Sequence, residues 1–379
     1  MYSEVYAPMK VAIITPTYLP EVSGGVIHIY NLTKYLVKHK YEVEIITSSP
    51  KYISHIKNPM SVSNTFNDAN VEVARKFKDW IFIKDADIIN IQSLPPLSTK
   101  NGLWLEFAFP LLYSKKPIVF TPHGNVQIIE LIKSPVLRSI ALTGRKNILK
   151  VSKKIIAVCE YERNQILKIY DNPSKVQVIP NGVNELLFEM PPTENEFTHL
   201  KPYYIMVARI IKTKNMHMAI EALSKIRDPE LRLIIVGQVQ EEYYYEQLLD
   251  LVKKLGLDSR VIFYGYVDEI TKVKLIDNSL GLIHLGLEND SLAVKEAFSR
   301  GKPVIALNQA GLPHIVKNGT NGFVINNVEE LAERMLLLFQ DNKLLAKIGE
   351  NNKTLARSFT WENVAKAYMK VYEEVYNSD

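Results

Sequence analysis

The stretch Gly281 to Ile305, GLIHLGLENDSLAVKEAFSRGKPVI, restricts the fold more than any other part of this chain. A short apolar run, Gly281 to Leu285, gives way to loop residues, and Ser291 to Arg300 then places Leu292, Ala293, Ala297 and Phe298 on one helical face. Gly301 ends that helix and Lys302-Pro303 opens another strand. Strand, helix and strand in so short a span make a βαβ unit, and open α/β sheets bind ligands at the carboxyl ends of such strands. Glu288 sits in the loop at that edge and Glu296 lies a turn inside the helix, with seven residues between them. The backbone N–H groups of Asn289 to Leu292, at the start of a helix, suit an anion such as a diphosphate. By spacing alone, the two acids fit a solvated loop and helix surface as well as they fit a cleft.

The same alternation recurs along the chain. Residues 10 to 48 read as strand, Gly24-Gly25 loop, helix and strand, with Val26, Ile29, Leu32, Tyr35 and Leu36 turned inward. Glycines at that turn let a ligand approach backbone N–H groups, and they serve chain geometry equally well. The strand PIVFT ends in Pro122-His123-Gly124-Asn125, which puts His123 at a ligand edge. Tyr203 to Ile210 is a strand followed by Lys212-Thr213-Lys214-Asn215, so Arg209 and Lys214 emerge together, two cations able to grip a diphosphate or to remain solvated. Strands at 231–237 and 261–266 alternate with helices at 241–255 and 269–278. Met190 to Glu196 breaks the pattern as a linker. The last helix, capped by Thr360, carries Val364, Ala367, Tyr368, Val371, Tyr372 and Val375 inward.

At 379 residues the chain is too long for one core. A net charge of +5 and no alternation of basic and aromatic residues argue against a nucleic-acid partner. Cys159 is the one cysteine, which excludes an intrachain disulfide and a thiolate metal cluster and fits a reducing, cytoplasmic setting. The expected role of Cys159 is packing inside a strand. No apolar run reaches the roughly 20 residues of a spanning helix; Leu103 to Tyr113 comes nearest. Residues 131–154 hold seven Lys and Arg, Arg145 among them, and no acid. This basic amphipathic face can rest on anionic lipid at the cytoplasmic side of a membrane, or be a solvated helix. Asp85-Ala86-Asp87 has a metal-binding look, but its place before the strand at Ile88 and the lack of further carboxylates make it a polar turn.

Glu288 and Glu296 match the E-x7-E signature of the retaining glycosyltransferases of family 4, and EAFSRGKPVIALNQAGLPHIVKNGTNGFVI resembles the continuation of that motif. VARIIKTKNMHMAIEAL is similar to the family's Arg-x4-Lys segment, IPNGV to its first-domain end, and Gly24-Gly25 and His123 fall in the expected order. The resemblance covers nearly the whole chain. It implies the GT-B fold, an α/β architecture of two Rossmann-like doubly wound domains facing across a cleft. Residues 1–187, rejoined by the helix 360–376, would bind acceptor, and 188–359 would bind a nucleotide-sugar. It further implies a metal-independent, retaining hexosyltransferase without cofactor, acting on a sugar, glycan or lipid-linked acceptor. On that reading Arg209 and Lys214 hold the diphosphate and Glu288 the transferred sugar. Glu296 holds the ribose, Val267 borders the base, Ser291 and Leu292 give backbone N–H groups, Gly24-Gly25 face the diphosphate, and His123 positions the sugar. One departure stands out: the family usually has Gly-Phe-Gly after the first Glu, where this chain has Asn289-Asp290-Ser291. An acid beside the phosphate site leaves open a catalytically silent nucleotide-sugar-binding protein, and the fold also admits a nucleotide-sugar epimerase or a sugar phosphorylase.

Overall fold

The computed structural model describes residues 9–19, 23–47, 71–74, 86–94, 109, 113, 115–124, 133–191 and 196–378. Asp85, Asn125, residues 131–132 and 192–195, and all of Leu103 to Tyr113 except Phe109 and Tyr113 lie outside them. The chain divides into two compact units, one of residues 1–181 with 361–379 and one of residues 182–360. The first crossing thus falls at Asn181, ahead of the position 187 drawn from the sequence.

In the first unit the strands are β1 Lys10–Thr15, β2 Glu42–Thr47, β3 Val71–Ala74, β4 Ile88–Gln92, β5 Ile118–Thr121, β6 Lys154–Ala157 and β7 Val176–Val178. They form one parallel sheet in the order β3-β2-β1-β4-β5-β6-β7. Runs such as VAII and II are buried on both sides because helices cover both faces, so these strands read as continuous apolar segments rather than alternating ones. The helices are α1 Gly24–Lys38, α2 Pro135–Val151 and α3 Glu160–Ile169. All five residues expected inward on α1 are buried. The C-terminal helix Trp361–Tyr376 packs against α1 and buries Trp361, Val364, Ala365, Tyr368, Val371, Tyr372 and Val375. Its stripe takes Ala365 where the sequence suggested Ala367, because Trp361 and Tyr368 rotate that face toward the core.

The second unit has β8 Tyr203–Val207, β9 Arg232–Val236, β10 Val261–Gly265, β11 Gly281–His284, β12 Val304–Leu307 and β13 Gly322–Ile325. Its parallel order is β10-β9-β8-β11-β12-β13. The helices are α4 Leu186–Glu189, α5 Met216–Ser224, α6 Glu242–Lys254, α7 Glu269–Asn278, α8 Leu292–Ser299, α9 Leu312–Ile315, α10 Val328–Gln340 and α11 Asn342–Ala356. Both sheets reverse direction in the middle, between β1 and β4 and between β8 and β11. Carboxyl ends diverge at such switch points and leave room for a ligand.

Asp87 accepts the Lys10 N–H at 2.8 Å, so the part of the Asp-x-Asp segment that is described ties β4 to β1. Cys159 lies beyond β6 rather than in a strand: it caps α3, with its Sγ accepting the Glu162 N–H at 3.4 Å. Arg145 is buried against the sheet and does not belong to the solvated basic face of α2.

Candidate active site

At the second unit's switch point, β8 ends at Val207 and β11 at His284, side by side in the sheet. The turn after β8 carries Arg209, then a single 3₁₀ turn, Lys212 to Lys214, closed by Asn215 in a left-handed conformation (φ 51°). Asn215 Nδ2 donates to the Leu285 carbonyl at 2.9 Å, locking this turn onto the end of β11. As a result Lys214, only 8% exposed, reaches the Glu288 carboxylate and forms an ion pair with it. His284 Nε2 lies 3.2 Å from the other carboxylate oxygen. Burial would raise the Glu288 carboxyl, but the His284 ring and the Lys214 ammonium together hold it well below the usual carboxylate range. Glu288 is therefore a fixed carboxylate, an acceptor for hydroxyl groups. Gly286 beneath it leaves space for the lysine, since a Cβ there would stand 2.7 Å from Lys214 Cδ.

Arg209 is exposed on the same edge, with Nη1 donating to Gln240 Oε1 at 2.8 Å. Glu296 does not meet Glu288. It pairs with Lys272 of α7 at 3.0 Å, and the same ammonium reaches Glu269. Burial raises the Glu296 carboxyl, with Lys272 opposing. Val267, just past β10, is half-buried against the core beneath the exposed Tyr266.

The Asn289-Asp290-Ser291 loop places its acid away from the start of α8. Asp290 neither caps α8 nor lies at its N-terminus facing solvent. Its carboxylate is turned inward to Lys295 at 2.5 Å, with the two side chains 3% and 0% exposed, and the ammonium also stands 4.9 Å from the Phe359 ring centre. The helix face differs from expectation accordingly: Val294, Lys295, Ala297 and Phe298 are buried, whereas Leu292 and Ala293 are only partly so. Ser291 is the N-cap residue by backbone geometry, makes no side-chain cap, and has a buried hydroxyl with no hydrogen-bond partner among the described residues. Behind the loop, the Gly311 N–H donates to the Glu288 carbonyl at 3.1 Å. A Cβ on Gly311 would come within 1.7 Å of the Asn289 carbonyl oxygen, so only glycine permits this approach.

A second constellation lies at the carboxyl edge of the first unit. His123 follows β5 in a left-handed conformation (φ 53°), and its Nε2 lies 2.6 Å from Gln92 Oε1. An amide oxygen only accepts, so Nε2 carries the proton and Nδ1 is the acceptor of a neutral ring. Burial, helped by His28, keeps the imidazole well below its ordinary pKa. The His28 ring packs on its edge at 4.7 Å between centroids, and His28 Nδ1 donates to Asn181 Oδ1 at 2.7 Å. The strained turn is held from behind by Glu162, whose carboxylate accepts the Gly124 N–H and, at 2.8 Å, the Val158 N–H. Gly24 and Gly25 open α1 after the Ser23 cap, and a Cβ on either meets nothing within 4 Å. Packing inside this unit therefore does not require them to be glycine.

Sequence reasoning missed His284, Lys272, Lys295, His28, Gln92 and Glu162. Lys295 could have been found, because it falls on the same helical face as Phe298, the side that packs inward. His284 meets Glu288 four residues on, across the turn that ends β11, and Lys272, His28, Gln92 and Glu162 are joined by contacts distant in sequence. Among the described residues no helix is long and apolar enough to cross a membrane.

Two doubly wound parallel units make up the GT-B fold. HepE of Anabaena, in a crystal structure with UDP and glucose, superposes with a TM-score of 0.76 at 18% identity, covering 97% of this chain and 100% of that one. Residues 22–185 match Glycosyltransferase Family 4 and residues 192–355 match Glycosyl transferases group 1. The chain belongs to this family, the group 1 glycosyl transferases of family 4. It is 23% identical to the N-acetyl-alpha-D-glucosaminyl L-malate synthase of Bacillus anthracis, over 96% of this chain and 97% of that protein. It is 25% identical to the phosphatidyl-myo-inositol mannosyltransferase of Mycolicibacterium smegmatis, over 97% and 94%.

Proposed function

We propose that this glycosyltransferase moves a hexosyl group from a nucleotide-diphosphate sugar to a glycan or lipid-linked acceptor, with retention of configuration and without a metal ion. The observation that carries the proposal is the Lys214–Glu288 pair at the second unit's switch point, with Arg209 on the same edge. As the glycosidic bond breaks, negative charge grows on the leaving diphosphate. Arg209 and Lys214 are placed to stabilise it, the guanidinium through a bidentate contact, in the role a divalent cation would otherwise fill. Glu288, kept ionised by His284 and Lys214, accepts hydrogen bonds from hydroxyls of the transferred sugar. Glu296 is assigned to the nucleotide ribose, for which Lys272 holds it in place. Backbone at Val267 borders the base, the N–H groups of Ser291 and Leu292 face the diphosphate, and Gly24-Gly25 admit it on the first unit.

His123 is assigned to positioning the transferred sugar or acceptor, which its neutral ring and fixed tautomer support. It is not assigned to proton transfer. The inward Asp290 removes the charge that argued for a silent binding protein, because its neutralisation by Lys295 leaves the start of α8 suited to a phosphate. For a lipid-linked acceptor, the exposed Val136, Leu137 and Ile140 of α2, beside Lys133 and Arg138, provide a face for peripheral contact with an anionic, cytoplasmic membrane surface.

The test is turnover of UDP-, GDP- and ADP-sugars with sugar, glycan and lipid acceptors in EDTA, with the anomeric configuration of the product read by NMR. One donor giving an EDTA-resistant product of unchanged configuration supports the proposal. An inverted product, or loss of turnover in EDTA that Mg²⁺ restores, overturns it.

A further inference from the structure

The loop that carries Glu288 is pinned from the turns on both sides of it. β11 ends at His284, and the chain returns so that the Glu288 carboxylate lies 3.2 Å from His284 Nε2. Within this short return the Leu285 carbonyl accepts two side-chain amides. Asn215 Nδ2 reaches it at 2.9 Å from the turn after β8, and Gln309 Nε2 at 2.8 Å from the turn after β12. β8 and β12 are the strands that flank β11 in the sheet. Two donors use both lone pairs of that carbonyl. A further donor from the β12 side, the Gly311 N–H, holds the Glu288 carbonyl at 3.1 Å.

The turn that carries Gln309 is itself fixed. The Asn308 N–H donates to the Ile325 carbonyl at the end of β13, at 2.8 Å, and the Asn308 side chain donates to Asn326 Oδ1 at 2.9 Å. Ala310, between the two pins Gln309 and Gly311, is left-handed (φ 49°), as is Asn215 on the opposite side (φ 51°). That conformation is unfavourable for a residue with a Cβ. It persists where the surroundings over-determine it, and such positions gather at ligand clamps and active sites. The clearance under the loop is small, since a Cβ on Gly286 would stand 2.7 Å from Lys214 Cδ. A slight shift of the loop therefore alters how Glu288 is presented.

We propose, resting on the assignment of Glu288 to the transferred sugar, that Gln309 is a positioning residue for that sugar. With Asn215 it clamps the Leu285 carbonyl, and the clamp fixes the place at which Glu288 accepts the sugar hydroxyls. Gln309 acts through the loop rather than by contact with the donor. The diphosphate is assigned to Arg209, Lys214 and the start of α8, so releasing the β12 side of the clamp loosens the hold on the sugar and spares the hold on the diphosphate. Recognition of the hexosyl group is thus set partly by the turn after β12, outside the segment from Glu288 to Glu296.

The experiment is calorimetry on the full-length protein in EDTA, with whichever UDP-, GDP- or ADP-sugar turns over and with its matching nucleoside diphosphate. Gln309→Leu keeps a side chain of similar size and removes the amide. It should weaken the nucleotide-sugar roughly threefold to tenfold, the loss of one hydrogen bond, and change the diphosphate by less than about twofold. In a Glu288→Gln background, where the sugar contact is already impaired, Gln309→Leu should add less than about twofold. Equal loss for both ligands, as a purely structural role requires, or an unchanged affinity for the nucleotide-sugar, would overturn the proposal. So would full additivity with Glu288→Gln. If Glu288→Gln by itself leaves the ratio of the two affinities unchanged, or if no donor turns over, the assignment of Glu288 fails and the role of Gln309 falls with it.

Discussion

Replacing Lys295 with methionine tests how the chain accommodates an acid in the loop that opens α8. In the native unit Asp290 and Lys295 face each other at 2.5 Å with almost no solvent contact. Methionine keeps the volume of the lysine stem and removes its charge, so Asp290 is left buried without its ammonium. Breaking a buried pair from one side costs about 3–5 kcal/mol. For a unit of this size each kcal/mol is worth about 2–4 °C, so the transition of the second unit should fall by roughly 10 °C. Asp290→Asn should destabilise similarly, because it strands the ammonium. The double variant Asp290→Phe with Lys295→Met restores an apolar contact beside Phe359. It should recover most of the loss, since replacing a whole buried pair by packed apolar groups is often neutral or better. Urea unfolding of these proteins and of Asp290→Phe alone, which closes the cycle, followed on the transition that UDP shifts, gives the coupling energy. Single variants within about 0.5 kcal/mol of wild type, with additive effects, would refute the pairing and the inward orientation of Asp290.

Three further outcomes follow from the same geometry. His123 is held neutral by burial, so its folded-state pKa lies below its unfolded value near 6.5. The stability it contributes is present above about pH 6.5 and is lost as pH falls, by up to about 1.4 kcal/mol per pH unit, and urea titrations of wild type and His123→Gln between pH 7.5 and 5 should converge. Gly286→Ala places a Cβ 2.7 Å from Lys214 Cδ, an atom of a flexible side chain, so folding should change by less than about 1 kcal/mol while donor affinity, read by calorimetry, drops roughly tenfold. Arg209→Ala removes an exposed side chain bonded to Gln240, so the melting temperature should stay within about 1–2 °C while turnover falls about 10²–10³-fold.

The order of strands and helices was legible because parallel strands covered on both faces are short continuous apolar runs and the intervening helices keep an apolar stripe. The E-x7-E pair, Arg209 and Lys214 were visible as chemistry at strand ends, and the structure brings Lys214 directly onto Glu288. What the sequence hid is the state of each carboxylate. Glu288 is held ionised by His284 as well as Lys214, and His284 is indistinguishable in sequence from strand packing, while Glu296 is held by Lys272 from a helix two elements earlier. The acid at position 290 looked like an obstacle because its partner five residues on is out of register for a helical i,i+4 pair. The two meet only because Asp290 lies before the first turn of α8, in a bend ahead of the extended Ser291. Likewise His123 was legible as a strand-end histidine, but its tautomer depends on Gln92 from a neighbouring strand.

The most direct test of the account is calorimetric titration of wild type and Lys214→Met with UDP and UDP-sugars in EDTA. The account predicts one saturable site in wild type, and affinity reduced roughly tenfold or more in the variant, whose folding transition remains cooperative. Equal affinity in the two proteins would place the donor away from the Lys214–Glu288 pair and contradict the central claim.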